Sequence, residues 1–359
     1  PTKSKFYTSP LALPGDNPFQ PSVLSDRDPR DKSDKHPYFN AIAKWNKTPT
    51  DVDLALIDEV AEDVAYWYGS VCKQEKCETK ILTKTEAINA GKQFEINALN
   101  RQSSPGVPWN EKEKKVADFL TDKGKGNNAY YGIDLTKPSG DKLSHSIDEI
   151  INICRVPGHF PRIVFAGTLK DEPVKLSKIE DVNTRSFAGA PLDYTIASRM
   201  YFATIQGAIH QVRHRMPIQI GIDPTSLEWD GMIRRLKSCS DRGFDLDFKG
   251  WDGCVHPEFT KRLSVVYNRI AKMTNEDWKE EDDIVRDNLN RACVNPLIQV
   301  ITSETTYVLR SPGGMVSGSP RTADDNSILH LMMFLYCVKK ILRRHKLTNV
   351  DNIISIINM

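Results

Sequence analysis

Ten residues, Ser311-Pro312-Gly313-Gly314-Met315-Val316-Ser317-Gly318-Ser319-Pro320, constrain this chain more than any other segment. Glycine packs no side chain and proline removes a backbone donor, so the run forms an irregular loop, neither helix nor strand. Before it, Leu297 to Leu309 reads as a hairpin, with β-branched Ile298, Val300 and Ile301, then Thr305, Thr306 and Val308, flanking Ser303-Glu304. After it, a helix is expected from about Arg321 through Leu329, Met332, Met333, Leu335 and Tyr336. Thr322 and Asn326 stand four apart, so both project from one face of its first turns. A glycine-rich loop opening a helix can cradle phosphates, but a Walker loop ends in Gly-Lys-Ser/Thr and no lysine is present. The loop serves something else.

A second segment, Gly243 to Gly253, alternates Phe244, Leu246 and Phe248 with Asp245 and Asp247. The alternation predicts a strand with one face buried and two carboxylates on the other. Lys249-Gly250 then turns, Asp252 follows five positions after Asp247, and Phe259, Leu263, Val266, Tyr267 and Ile270 fit a helix from Pro257 packed beneath the strand. A carboxylate at a strand edge suits a hard, oxygen-preferring cation such as Mg²⁺; aspartates capping a local turn fit the same residues.

The rest of the chain is plainer. With 359 residues, 39% of them hydrophobic, it can bury a substantial core, and a net charge of +2 leaves any attraction to nucleic acid to local clusters. One such cluster is Arg155 to Arg215, with nine basic residues against five acids. Glu276 to Asp287, with seven acids, reads as an exposed helix face. The first forty residues are rich in Pro, Asp and Ser with isolated apolar anchors (Phe6, Leu11, Leu13, Phe19, Val23, Leu24), which suits an extended segment pinned to another surface. Val52, Leu54, Leu56, Ile57, Val60, Val64 and Trp67 recur at helical period, with Gly69 as the expected stop. Ser103-Ser104-Pro105-Gly106-Val107-Pro108 reads as a polar turn. His210 and His214 read as a surface pair, since Gln211 stands where a zinc protease needs Glu. Seven scattered cysteines read as reduced, mostly buried thiols, because the Cys72/Cys77 pair has no second pair to complete a zinc site. The apolar stretch Leu331–Val338 is far short of the ~20 residues that span a bilayer. Pro1 in place of Met, with no basic and apolar leader, suggests a processed product or fragment.

At these residues the chain resembles the RNA-dependent RNA polymerases of picornavirus-like positive-strand RNA viruses. Asp247 to Asp252 matches their motif A, and Gly313-Gly314-Met315, Ser317-Gly318, Thr322 and Asn326 match motif B. Lys170-Asp171-Glu172, Lys178 and Thr184-Arg185 resemble motif F, Ser103 to Pro108 motif G, and Pro1 to Lys5 with Asp28-Pro29-Arg30 the extended fingertip. The resemblance covers essentially the whole chain, in the family's order.

The resemblance implies an α+β right-hand polymerase with fingers and a partial palm, the palm an antiparallel sheet flanked by helices, and no thumb. Residues 1–200 would be fingers, 201–285 palm with motif A, 286–314 a fingers insertion, and 315–359 palm with motif B. It implies template-directed nucleotidyl transfer from NTPs, with Asp247 as the catalytic carboxylate of a two-metal Mg²⁺ site that also accepts Mn²⁺. Asp252, Ser317, Thr322 and Asn326 would read the ribose 2′-hydroxyl, and Lys170, Lys178 and Arg185 would line the path of the triphosphate. Ser103, Ser104, Pro105, Gly106, Gly313, Gly314 and Gly318 would guide template RNA. Partners would be template and product RNA, NTPs, a viral protein primer and other replication proteins, in the host cytoplasm on membrane-associated complexes, with no intrinsic membrane span. Three departures stand out. Val182-Asn183 replaces the family's Gly-Lys, Pro173-Val174 replaces Leu-Arg, and the apolar run Ile353–Met359 lies where the Gly-Asp-Asp hairpin belongs. The expectation is therefore a polyprotein fragment ending before motif C and inactive by itself. A non-catalytic RNA-binding module and a retroelement reverse transcriptase are the alternatives.

Overall fold

The computed structural model describes residues 4–6, 18–32, 36–46, 49–89, 94–124, 130–243, 245–302 and 304–346. Its first half runs β1 (Phe19–Pro21), α1 (Pro37–Ile42), α2 (Leu54–Gln74), α3 (Lys84–Asn89), β2 (Leu120–Lys123), β3 (Tyr130–Ile133), α4 (Pro138–Cys154), β4 (Val164–Leu169) and β5 (Pro173–Lys175). There follow α5 (Leu176–Glu180), β6 (Ser186–Gly189), α6 (Leu192–Gln211), α7 (Leu227–Cys239), α8 (Pro257–Thr274), α9 (Glu280–Arg291), β7 (Leu297–Ile301), β8 (Thr306–Arg310) and α10 (Thr322–Arg344).

Asp53 starts α2, its carboxylate accepting the Leu56 N–H at 3.0 Å. The stripe Leu56, Ile57, Val60, Val64 and Tyr68 is buried, and α8 packs on it through Leu263, Val266, Tyr267 and Ile270. Gly69 does not stop this helix. Its missing side chain admits α8, since a Cβ there would lie 2.7 Å from Met273 Sδ. Helix α6 is buried nearly all round and forms the centre of the helical core. Its buried Arg199, pushed down to about 10 by burial, donates to the carbonyls of Ala87 at 2.6 Å and Asn97 at 2.7 Å, whereas the Ser198 hydroxyl has no partner among the described residues.

The expected hairpin forms as β7 and β8, and it joins a larger sheet ordered β6-β4-β7-β8. Strands β4 and β7 are parallel, and the other pairs are antiparallel. The extended N-terminal segment is pinned as anticipated: β1 pairs antiparallel with β5, and Val23 clusters with Val174, Ile179 and Val182. Val23 and Leu24 are buried anchors, Phe6 and Phe19 are exposed, and Leu11 and Leu13 lie outside the described residues.

The strand expected around Asp247 is absent among the described residues. Residues 245–248 form no strand, and Leu246 and Phe248 are 58% and 41% exposed. A strand is held by its neighbours' hydrogen bonds and side-chain pairs. No described strand pairs with this segment, and the apolar run Ile353–Ile357 lies outside the described residues. The antiparallel palm sheet expected around Asp247 is therefore not formed among the described residues. In the acidic segment Glu276, Asp277, Glu280 and Glu281 are exposed, as expected of a helix face, and Asp282, Asp283 and Asp287 are half-buried. The acids of α9 crowd its first turn, where they suit the helix dipole, but Val285, Arg286, Asn288, Leu289 and Asn290 are buried. Cys72, Cys77, Cys154 and Cys293 are free and buried. No described helix is long and apolar enough to cross a membrane.

Candidate nucleotide and RNA site

The loop predicted from residues 311–320 is locked to the rest of the chain by its backbone. Gly318 bridges to Gly189 at the end of β6, and its carbonyl accepts the Ala190 N–H at 3.3 Å. A Cβ on Gly318 would stand 2.4 Å from the Ala188 carbonyl oxygen and 2.6 Å from Gly189 Cα, so only glycine fits. The turn at 103–108 reaches the same junction from another side. The Pro105 carbonyl accepts the Leu192 N–H at 2.8 Å, and Gly106, with φ +72°, lies where a Cβ would be 2.7 Å from the Ala190 carbonyl oxygen. Ser103 and Ser104 are exposed, the Ser104 hydroxyl accepting the Gly106 N–H at 3.3 Å. Three segments far apart in sequence thus meet, backbone to backbone, at residues 188–192.

The other end of the loop holds the Asp252 turn. Met315 N–H donates to the Asp252 carbonyl at 2.7 Å and Gly314 N–H to the Val255 carbonyl at 2.9 Å. Gly314 sits at φ +92°, and Gly313 lies against Pro257. Thr322 donates its hydroxyl back into the loop, to the Ser319 carbonyl at 2.8 Å and the Val316 carbonyl at 3.2 Å, so it shapes the loop. Asn326 Oδ1 accepts the Trp251 indole N–H at 2.8 Å. Ser317 Oγ is buried and has no hydrogen-bond partner among the described residues, which leaves one hydroxyl unsatisfied beside Asn326's helix. The structure therefore ties together the Asp252 turn, the loop that carries Ser317 and the first turns of α10 that carry Thr322 and Asn326. Asp247 is exposed on irregular backbone a few residues away.

The basic residues gather on the β4–β6 side. Lys170 Nζ lies 3.1 Å and Arg185 Nη1 3.3 Å from Glu172 Oε2, and Lys170 N–H donates to the Arg185 carbonyl at 2.8 Å. Lys178 is exposed at the end of α5. The N-terminal segment clamps this cluster: Ser4 Oγ donates to Asp171 Oδ1 and Lys5 N–H to Asp171 Oδ2, both at 2.7 Å. Ser22 Oγ donates to the Lys170 carbonyl at 2.7 Å, and Thr184 Oγ1 to that of Val23 at 2.7 Å. Arg30 is held by Asp28, and Pro1 to Lys3 lie outside the described residues.

Two buried polar clusters at the start of α10 escaped the sequence reading. His210 is no surface residue: Nε2 lies 2.7 Å from Asp324 Oδ1, while Gln206 Nε2 donates to Asp324 Oδ2 at 2.5 Å. Burial opposes the His210 charge, but Asp324 outweighs it and raises the pKa. His214 does remain on the surface. Beside this cluster Arg321, 1% exposed, donates to Asn290 Oδ1 at 3.2 Å, sits 3.5 Å from Asp325 Oδ2, and stacks 4.0 Å above the Phe202 ring. Burial pushes Asp325 up to about 6 against the pull of Arg321 and the Tyr267 hydroxyl, which donates to Asp325 Oδ1 at 2.7 Å. Two adjacent aspartates within an apolar helical pattern were the available signal.

Comparison with known proteins identifies the family and the fold. The family description "Viral RNA-dependent RNA polymerase" matches residues 12–358. The RNA1 polyprotein of Arabis mosaic virus (isolate NW) is 29% identical over 356 residues, 95% of this chain and 14% of that protein. The RNA1 polyprotein of Andean potato mottle virus is 28% identical over 98% of this chain and 47% of its own length. The replicase polyprotein of Acute bee paralysis virus (strain Rothamsted) is 28% identical over 73% of this chain and 13% of its own length. The chain thus spans less than half of each of these relatives. Among solved structures, the Sicinivirus 3Dpol RNA dependent RNA polymerase superposes with TM-score 0.67 at 20% identity, covering 93% of this chain and 64% of that one, so the two share the right-hand polymerase fold. With the family matched from residue 12 to residue 358, this chain belongs to the viral RNA-dependent RNA polymerases.

Proposed function

We propose that this chain is the template- and nucleotide-handling part of an RNA-directed RNA polymerase that copies a positive-strand viral genome, joining ribonucleotides from NTPs along an RNA template. The convergence of Pro105-Gly106, Gly189 to Leu192 and Gly318 at one junction carries the reading. Its glycines let three segments pack backbone to backbone into a fixed support, and contacts to backbone and 2′-hydroxyls beside it would suit a template of any sequence. Gly313 and Gly314 pack in the same way against Pro257 and the Asp252 carbonyl and continue that support towards the Asp252 turn. Lys170 and Arg185, gathered around Glu172, and the exposed Lys178 supply positive charge for a triphosphate. The unpartnered Ser317 hydroxyl, the Asn326 amide and Asp252 are suited to a ribose 2′-hydroxyl, the group that separates RNA chemistry from DNA chemistry.

Phosphoryl transfer leaves the protein mainly positioning and charge neutralisation. The family uses divalent metal ions. Among the described residues no three metal-binding side chains gather, so they form no all-protein metal cage. Asp247 does offer an exposed carboxylate, and Mg²⁺ is commonly held by one or two carboxylates together with substrate phosphates, so the donor chemistry fits an ion bound jointly with a triphosphate. Such an ion supplies charge neutralisation at the phosphoryl group. In this reading residues 1–200 and 286–314 are fingers; β7 and β8 extending the β4–β6 sheet support that division. Residues 201–285 and 315–359 are palm. Template-directed incorporation of labelled ribonucleotides by the polymerase carrying this sequence is the test: D247A abolishes it, and rNTPs are preferred over dNTPs. Incorporation indifferent to D247A, or a preference for dNTPs, refutes the proposal.

A further inference from the structure

Trp251 stands between the two motif A carboxylates, yet the reading above gives it no role. Its ring meets Phe248 at 4.8 Å and His330 at 5.9 Å between centroids, and Phe248 meets His330 at 5.4 Å. His330 lies one turn beyond Asn326 on α10, so this aromatic triangle ties the Asp252 turn to the helix that bears Asn326. The next backbone carbonyl, that of Asp252, is fixed by Met315 N–H at 2.7 Å. Trp251 is therefore held from several sides, and its indole Nε1 lies 2.8 Å from Asn326 Oδ1.

An indole N–H donates and never accepts, so it fixes which end of the Asn326 amide it faces. The oxygen must turn towards Trp251, and the NH₂ group is left on the other branch. That orientation matters because a ribose 2′-hydroxyl has a single hydrogen. An ionised Asp252 only accepts, so it takes that hydrogen, and a second neighbour of the hydroxyl then has to be a donor. With the amide reversed, Asn326 and Asp252 would compete for one hydrogen. A deoxyribonucleotide has no hydroxyl there and is indifferent to the choice.

We infer that Trp251 is a positioning residue for sugar selection: its indole N–H holds the Asn326 amide with the NH₂ group towards the incoming ribose, favouring ribonucleotides over deoxyribonucleotides. The inference rests on the reading of Asn326 and Asp252 as ribose-binding groups. Trp251→Phe keeps an aromatic ring for Phe248 and His330 while removing the donor and one ring of the indole, and any loss of packing falls on ATP and dATP alike. The test is the ratio of equilibrium affinities of the chain for γ-labelled fluorescent ATP and dATP, measured for wild type, W251F, N326A and the double variant. W251F lowers the ATP preference about five-fold, the worth of one hydrogen bond, and the double variant falls no further than N326A. A purely structural role for Trp251 would weaken ATP and dATP alike and leave the ratio unchanged. If N326A lowers the ratio and W251F does not, the inference is wrong while the ribose reading stands. If N326A leaves it unchanged, or the wild-type chain binds neither nucleotide saturably, the ribose reading itself fails. A measurement on the unmodified chain guards against a misfolded variant: the Trp251 indole N–H resonance shifts more on saturation with ATP than with dATP, and equal shifts overturn the inference.

Discussion

Replacing Gly318 by alanine tests the junction most directly. The added Cβ would sit 2.4 Å from the Ala188 carbonyl oxygen, about 1 Å short of ordinary van der Waals contact, with Gly189 Cα at 2.6 Å behind it. Both obstacles are backbone, in a strand paired with β4, so no side-chain rotation relieves the clash. Either the loop retreats, losing the hydrogen bond from Ala190 N–H at about 1 kcal/mol, or the overlap is absorbed as overpacking at about 1–3 kcal/mol. G318A should therefore destabilise the chain by about 1–3 kcal/mol in urea unfolding and weaken binding of a single-stranded RNA template. Gly231→Ala is the matched control. Gly231 lies within α7 with nothing within 4 Å of its would-be Cβ, so the change should stabilise by about 0.5–1 kcal/mol through helix propensity alone. If G318A unfolds within about 0.5 kcal/mol of wild type, an ordinary surface effect, the close approach is not what holds the loop.

Other perturbations probe the supports of the site. Lys339, with a side chain 4% exposed, bonds Glu59 Oε1 at 2.6 Å and Asp63 Oδ2 at 2.5 Å, and Lys339→Met should cost about 1–3 kcal/mol, moderated because both carboxylates keep about a third of their exposure. Burial raises the Glu59 pKa, but Lys339 and Arg343 together bring it below 4.5, so the stability it adds is present above pH 4.5 and is lost as pH falls through the folded value; an acid unfolding series should show K339M with the flatter slope. His210→Gln should act with the opposite sign. The raised His210 pKa adds stability that is complete below pH 6.5 and disappears as pH rises through the folded value, so the gap between wild type and H210Q, followed by urea unfolding, should narrow towards alkaline pH. Asp171→Ala removes both acceptors of the N-terminal clamp and should speed proteolytic cleavage before Phe19, with cleavage elsewhere unchanged.

What could be read from sequence divides along physical lines. The 311–320 loop, the hairpin before it and the helix after it were legible because local composition settles them. The parallel neighbour of that hairpin was not, since alternation tells which face a residue takes and nothing about which strand lies alongside. Phe244 to Phe248 has the pattern of a strand, and pattern was insufficient where no described strand pairs with it. Gly69 read as a stop because glycine is a poor helix former, whereas its use was to admit Met273. His210 was placed on the surface because its partner Asp324 stands 114 residues away.

The pairing of β4 with β7 brings Val164 beside Leu297, and that of β1 with β5 brings Phe19 beside Lys175. During synthesis at about 5–20 residues per second, the N-terminal strand waits for a partner until β5 has emerged, and β4 keeps one edge unpaired until β7 follows. Such distant closures are slow and leave strand edges open to wrong partners. The order of emergence also means that the junction at residues 188–192 is assembled last, when Gly318 arrives. A ribosome-bound nascent chain that stops short of the 311–320 loop would carry the basic cluster without the junction that fixes the loop beside it, so the proposed RNA and nucleotide engagement would be deferred until nearly all of the described chain has been made.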